Sequence, residues 1–249
     1  MPSISKENSE SPQVYAVLTG DVIGSRQLSA SQLQDLLSDM KDFWDKFSEN
    51  FPDQVIGNLE VFRGDGWQVA LSSPACALEA AVFLRAVSKA SPASDHSDSR
   101  VGIGIGAVEV LNPAHLAESQ GDAFEASGDA LALTSKGKIR WKLLAQSKEF
   151  TSLDLFTLPV LDLAVSSWSA VESFAVVGEI LGWTQEETAL HLWAQKNDGS
   201  SPTPQAVGKA FRRTFWKSHI HPVLAAASLL LGGKQPSGVV MNENNPEGL

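Results

Sequence analysis

Apolar residues along the chain change their spacing several times, and each change marks an element. VYAVLTG, residues 14–20, is a short apolar run ended by glycine and predicts a buried strand. Residues 29–49 switch to helical spacing, with Leu33, Leu36, Leu37, Met40, Phe43, Trp44 and Phe47 on one stripe and Ser29 placed to cap it. QVIGNLEVF and WQVALSS are strand-like runs joined by the short polar stretch RGDG, which predicts a hairpin. Pro74 opens a second helix through Ala77, Leu78, Ala81, Val82 and Leu84. SKASPASDHSDS is rich in Ser, Asp and Pro and reads as an exposed loop. RVGIGIGAVEV, residues 100–110, predicts a strand with glycine at alternate positions. A helix over about 122–135 and a weaker strand near IRWKLLAQ follow.

The order strand, helix, hairpin, helix, strand, helix, strand predicts an α+β fold with helices on one face of a mainly antiparallel sheet. From Thr151 onward the pattern is mostly helical, so a boundary falls between 147 and 165 and separates residues 14–150 from a helical unit over 160–232. Residues 169–181 predict a helix interrupted by Gly178. TQEETALHLWA follows Trp183 and starts with a capping box, Thr184 and Glu187. After KNDGSSP comes TPQAVGKAFRRTFWK, with Ala206, Val207, Ala210, Phe211 and Phe215 on one stripe. Lys209, Arg212, Arg213 and Lys217 give the rest of that segment four cations and no acid. PVLAAASLLLGG predicts a last helix that covers the sheet or pairs subunits.

Composition narrows the classes. With 249 residues, 43% hydrophobic and 19% charged, the chain has material for a real core. One cysteine, Cys76, forms no disulfide within the chain; among Ala and Leu it reads as core packing. MPSISKENSESPQ is polar, and VLAAASLLL falls short of the ~20 apolar residues of a membrane helix, so a cytoplasmic protein with no membrane partner is expected. The net charge of −10 disfavours generic nucleic-acid binding, and any such contact needs a local basic face.

Two segments carry candidate chemistry. In TGDVIGSR, Asp21 lies just past a strand, between Gly20 and Gly24. A carboxylate there holds a hard cation through oxygen, and the turn's amides face phosphate; an ordinary strand-to-helix turn capped by Asp21 explains the same residues. In FRGDGWQ, Asp65 sits at a hairpin tip between Gly64 and Gly66, where Asp-Gly is also a strong turn signal. If both aspartates reach the same end of the sheet, they bracket divalent ions that clamp a triphosphate. GIGIG is not a dinucleotide fingerprint, because its glycines lie within a strand; it predicts a close backbone or ligand approach. His96, His115, His219 and His221 show no metal spacing; Arg63 and Arg100 could supply a cation to phosphate, yet read equally as surface residues.

YAVLTGDVIGS, FRGDGWQVAL, RVGIGIGAVEV and GDAFEASGDAL occur in the order of the signature segments of class III nucleotidyl cyclases, and residues 14–135 resemble most the bacterial SatD-like branch. The resemblance implies a ferredoxin-like palm. It implies that Asp21 and Asp65 are the metal carboxylates for Mg2+ or Mn2+, with the Val22 carbonyl as a further ligand. Gly20, Gly24, Ser25 and Gly64 would lie along the nucleotide. The chain departs from the family pattern at Glu125 and Asp129, where active cyclases supply an asparagine and an arginine, and at Val61, where a purine-selecting lysine is missing. An anion where negative charge develops removes transition-state stabilisation.

An acidic helix followed by a basic capped one has the plan of a helix-turn-helix, and SatD-like proteins resemble this in their C-terminal halves. Thr203, Gln205, Lys209, Arg212 and Arg213 are the DNA-facing candidates. The connector is longer than usual, and a plain dimerisation or lid element fits the same residues. The expected protein is a metal-dependent nucleotide-binding regulator coupled to a DNA-binding module, acting as a homodimer. The alternatives are an active nucleotidyl cyclase or nucleotidyltransferase working on nucleoside triphosphates, and a degenerate scaffold.

Overall fold

The computed structural model describes residues 13–93, 97–134, 139–145, 153–195 and 202–232, with the side chains of all but 192–195. The connector at 196–201 and His96 lie outside the described residues. Strand β1 (Tyr15–Val22) is the centre of a five-stranded mixed sheet in the order β2-β3-β1-β4-β5. Its neighbours are β3 (Gly66–Leu71) and β4 (Ser99–Gly106), both antiparallel to it. The sheet is completed by β2 (Val55–Phe62), antiparallel to β3, and β5 (Trp141–Ala145), parallel to β4.

Because side chains alternate across a strand, β1 feeds two separate layers. Ala16, Leu18 and Val22 enter the main apolar cluster with helix α1 (Ala30–Asn50) and helix α2 (Ala77–Ala90). Val17 packs instead with Ala123 of helix α3 (Asp122–Thr134). The helices therefore lie on both faces of the sheet, not on the single face the element order suggested. The reason is the GIGIG run. A Cβ on Gly102 would stand 2.2 Å from the Ser127 carbonyl oxygen, and one on Gly104 2.1 Å from that of Ala123. Glycine at alternate positions lets the backbone of α3 settle directly on β4.

The helix signals of the first half hold. Ser29 and Gln32 form a capping box, and Leu36, Leu37, Met40, Phe43, Trp44 and Phe47 are buried as the stripe predicts. The SKASPASDHSDS segment differs: Ser88, Lys89 and Ala90 belong to α2, and Ser91, Ser97, Asp98 and Ser99 are buried. Asp98 is drawn inward by a charge. The Arg85 guanidinium, fully buried on α2, donates to both Asp98 oxygens at 2.9 and 2.7 Å.

The second half adds to the same core. A π-helical turn (Leu153–Thr157) leads into α4 (Leu158–Ser167), then α5 (Ala170–Ile180), α6 (Gln185–Gln195) and α7 (Pro204–Arg213). A second π-helical turn (Trp216–Ile220) precedes α8 (His221–Leu230). Leu158, Leu161, Val165, Phe174, Trp216 and Leu224 join the cluster that holds α1 and α2. Gly178 sits inside α5 without breaking it, because Thr188 of α6 fills the space where a Cβ would stand. Among the described residues, no single helix is long and apolar enough to cross a membrane.

Polar contacts finish the sheet borders. At β5, Asp154 accepts from the Leu143 amide at 3.0 Å and pairs with Lys142. At β2, the register breaks between Ile56 and Glu60, and left-handed Gly57 presses against the Pro113 carbonyl.

Arg85 also reaches Asp162 of α4 at 2.7 Å and Ser166 at 3.1 Å, and lies over the Trp141 ring. Removing one member of a buried charge group leaves the others desolvated without a partner. Arg85→Leu is expected to lower unfolding free energy by about 3–5 kcal/mol in urea titration. Glu79, in the first turn of α2, is desolvated by its surroundings, which pushes its carboxyl from 4.5 up to about 7. A raised acid favours folding while protonated, so this contribution is complete below pH 4.5 and is lost as pH rises towards 7. Glu79→Gln should stabilise the protein by on the order of 2 kcal/mol at pH 8, with the gain vanishing below pH 4.5 in the same titration.

Candidate functional site

The two aspartates lie at the same end of the sheet. Asp21 is the penultimate residue of β1, and in the ladder its Cα lies opposite Gly66 of β3. That register sets Asp65, one residue earlier, beside the end of β1. The Val22 amide donates to the Asp65 carbonyl at 3.3 Å, and the Ser25 hydroxyl donates to the Asp65 carboxylate. The hairpin loop turns on Arg63 and Gly64, at φ 52° and 87°, while Gly66 already belongs to β3. Left-handed backbone at Gly64 is cheap for glycine and costs Arg63 more, so Asp65 is held by the turn and not at its tightest point.

On the β1 side, Gly24 at φ 75° starts a 3-10 turn, Ser25–Gln27. The Ile23 amide donates to the Asp98 carbonyl at 2.8 Å. The amides of Val22 and Ile23 are thus used inside the protein. Those of Gly24 and Ser25 have no backbone partner among the described residues.

Each carboxylate already has a partner. Arg100, directly across the ladder on β4, donates its Nε to Asp21 Oδ1 at 2.8 Å and its Nη2 to Oδ2, a two-pronged ion pair. Asp65 has the neutral Ser25 hydroxyl. Next to this edge, Gln68 donates to Thr19 at 2.9 Å, and Thr19 shares a 2.7 Å hydrogen bond with buried Ser127. The donor set of two carboxylates, with carbonyl and hydroxyl oxygens near them, suits a hard divalent ion. Among the described residues no group of three or more His, Cys, Asp or Glu could hold a metal. This pair would thus need phosphate and water oxygens to complete a shell, as magnesium sites commonly do.

The other singled-out residues separate by face. Gly20 makes room for the Trp67 indole, which a Cβ would meet at 2.2 Å, so packing alone accounts for its small size. Val61 lies opposite Trp67 and packs on the main core. Glu125 and Asp129 are exposed on α3. Cys76 is buried, and desolvation pushes its thiol up to about 12, which suits packing and not nucleophilic work. A groove of about 420 Å³ lies elsewhere, lined by Asp39, Asp42, Phe43, Asp45, Lys46, Glu49 and His191. Its carboxylates repel phosphate.

In the helical half, Thr184 and Glu187 form the predicted capping box. Thr203 caps α7 by accepting from the Ala206 amide at 3.2 Å. Helix α7 stops at Arg213, and left-handed Phe215, at φ 55°, turns the chain so that Trp216 is buried while Phe215 is 61% exposed. The single stripe through Phe215 is therefore broken at its end, and Ala206 is exposed as well. Two of the four cations are engaged. Arg213 pairs with Glu172 of α5 at 2.6 Å, and Lys217 with Glu179 at 3.2 Å. Burial pushes the Glu172 carboxyl up, but hydrogen bonds from Ser169 and the Arg213 pair outweigh it and hold the group below its usual range. Gln205, Lys209 and Arg212 stay exposed at helical spacing on one side of α7.

Sequence reasoning missed Arg100 as the partner of Asp21 and Arg85 as the partner of Asp98. Both pairings depend on strand order and burial, which no local motif encodes. No protein-family model matches the chain, and no curated protein matches it.

Proposed function

We propose that the chain is a metal-dependent nucleotide-binding regulator of SatD-like, nucleotidyl-cyclase-like type, joined to a helical DNA-binding module. One observation carries the reading. Asp21 and Asp65, 44 positions apart in the sequence, reach the same sheet edge beside the turn of Gly24 and Ser25. Strand order supports it too. The succession β1, α1, β2, β3, α2, β4, with β4-β1-β3-β2 across the sheet, is that of a ferredoxin-like palm, extended by α3 and β5.

The Asp21 and Asp65 carboxylates and the Val22 carbonyl would hold Mg2+ or Mn2+, which when bound neutralises phosphate charge. Ser25 orients the Asp65 carboxylate. Gly24, with no side chain over the turn, leaves the adjoining amides open to a phosphate oxygen, and Gly64 leaves similar space on the hairpin. The exposed acids Glu125 and Asp129 favour binding over turnover, because no cation on that helix face meets developing charge.

Contacts between α5, α6 and α7 support the DNA module. A Cβ on Gly208 of α7 would meet the Gln185 side chain at 2.4 Å, so α6 and α7 cross closely. Gln205, Lys209 and Arg212 form the exposed face, with Thr203 at its start and Arg213 at its margin. A homodimer would present two such helices, and nucleotide occupancy would set their spacing.

Titrating each nucleoside triphosphate with Mg2+ or Mn2+ tests the first half by calorimetry. Metal-dependent binding without product is expected, with at least a tenfold loss in Asp65→Ala (about 1.4 kcal/mol). Product formation abolished by Asp65→Ala would point to the enzyme, and absence of binding to a scaffold. For the second half, Lys209→Ala with Arg212→Ala should weaken DNA binding and reduce the salt-dependence slope by about 2 in gel-shift assays.

A further inference from the structure

We propose that Arg100 is an exchangeable counter-cation for the candidate site: it occupies Asp21 until a phosphate takes the guanidinium, and so makes metal and triphosphate binding interdependent. The inference rests on the reading of Asp21 and Asp65 as the metal carboxylates and concerns how that site is loaded.

The geometry is specific. Asp21 and Arg100 face each other across the β1–β4 ladder, so both side chains project from one sheet face. The guanidinium spans both carboxylate oxygens, so a cation at Asp21 is left the outer lone pairs and must sit beside a positive charge. Asp65, by contrast, holds only a neutral hydroxyl. A divalent ion arriving alone therefore meets one available carboxylate and, beside it, a positive charge.

The pair is reachable from solvent. The Arg100 and Asp21 side chains are 32% and 21% exposed, so an incoming anion can approach the guanidinium. Arg100 has no second acidic partner among the described residues. A guanidinium fork fits a phosphate as well as a carboxylate, and a triphosphate carries more charge than Asp21. When the fork turns to phosphate, Asp21 is released to the metal. When the metal takes Asp21, the fork is released to phosphate. Each ligand clears the other's place, and such coupling is reciprocal.

The test uses the full chain and two opposed readouts. Mn2+ alone is titrated and followed by loss of the free-ion electron paramagnetic resonance signal. Triphosphate binding is measured separately in excess chelator by calorimetry. Arg100→Gln is expected to bind Mn2+ about tenfold tighter than the wild type and to bind metal-free triphosphate about tenfold more weakly. Arg100→Lys, charged but without the fork, should fall between the two. Asp65→Asn added to Arg100→Gln should remove the gained Mn2+ affinity. A misfolded variant would weaken both ligands together, so opposite directions identify exchange. Unchanged or weaker Mn2+ binding in both Arg100 variants overturns the proposal; the metal reading then survives if wild-type Mn2+ binding in the presence of triphosphate is lost in Asp65→Asn. Absence of Mn2+ binding in every variant, with or without triphosphate, overturns both.

Discussion

The buried guanidinium of Arg85 ties α2 to three other parts of the fold at once. It joins α2 to Asp98 at the start of β4, to Asp162 and Ser166 on α4, and to the Trp141 face on β5. Arg140 adds a second cation to the group, pairing with Asp98 at 3.4 Å, while its own amide donates to Asp162. Buried charge of this kind contributes little net stability against an apolar replacement of equal shape, yet it tolerates very few arrangements. The helices after residue 152 are thus set on the sheet by a directional contact as well as by apolar burial.

That contact also reaches the candidate site. Asp98 accepts from Ile23 through its carbonyl while its carboxylate is held by Arg85. Two residues further along β4 is Arg100, the partner of Asp21. The site edge is therefore built on a strand end fixed from behind, while Asp21, Arg100 and Asp65 keep partial exposure beside the open turns at Gly24 and Gly64. Rigid support below and partly exposed charge above would suit the proposed ligand site.

Much of the fold was legible because local signals and tertiary demands agreed. The α1 stripe, its Ser29 cap and the Thr184–Glu187 box each depend on residues within a turn or two of one another. GIGIG announced a close approach but not its source, since a glycine reports an absence of volume and cannot say on which side α3 will land. Asp98 was misread as exposed because a polar composition looks the same whether the carboxylate meets water or meets Arg85. Phe215 was misread because nothing in a helical stripe foretells one left-handed residue. The convergence of Asp21 and Asp65 was readable as a conditional; the condition, strand order, is a property of the whole chain.

The treatment of the two sheet borders limits how copies of this protein can meet. Asp154 occupies the outer amide of Leu143, and the kink at Gly57 bends β2 against Pro113. A flat, unpaired ladder is what invites strand-by-strand stacking into fibrils, and neither rim offers one at those points. At those two points, strand-by-strand pairing between copies is disfavoured.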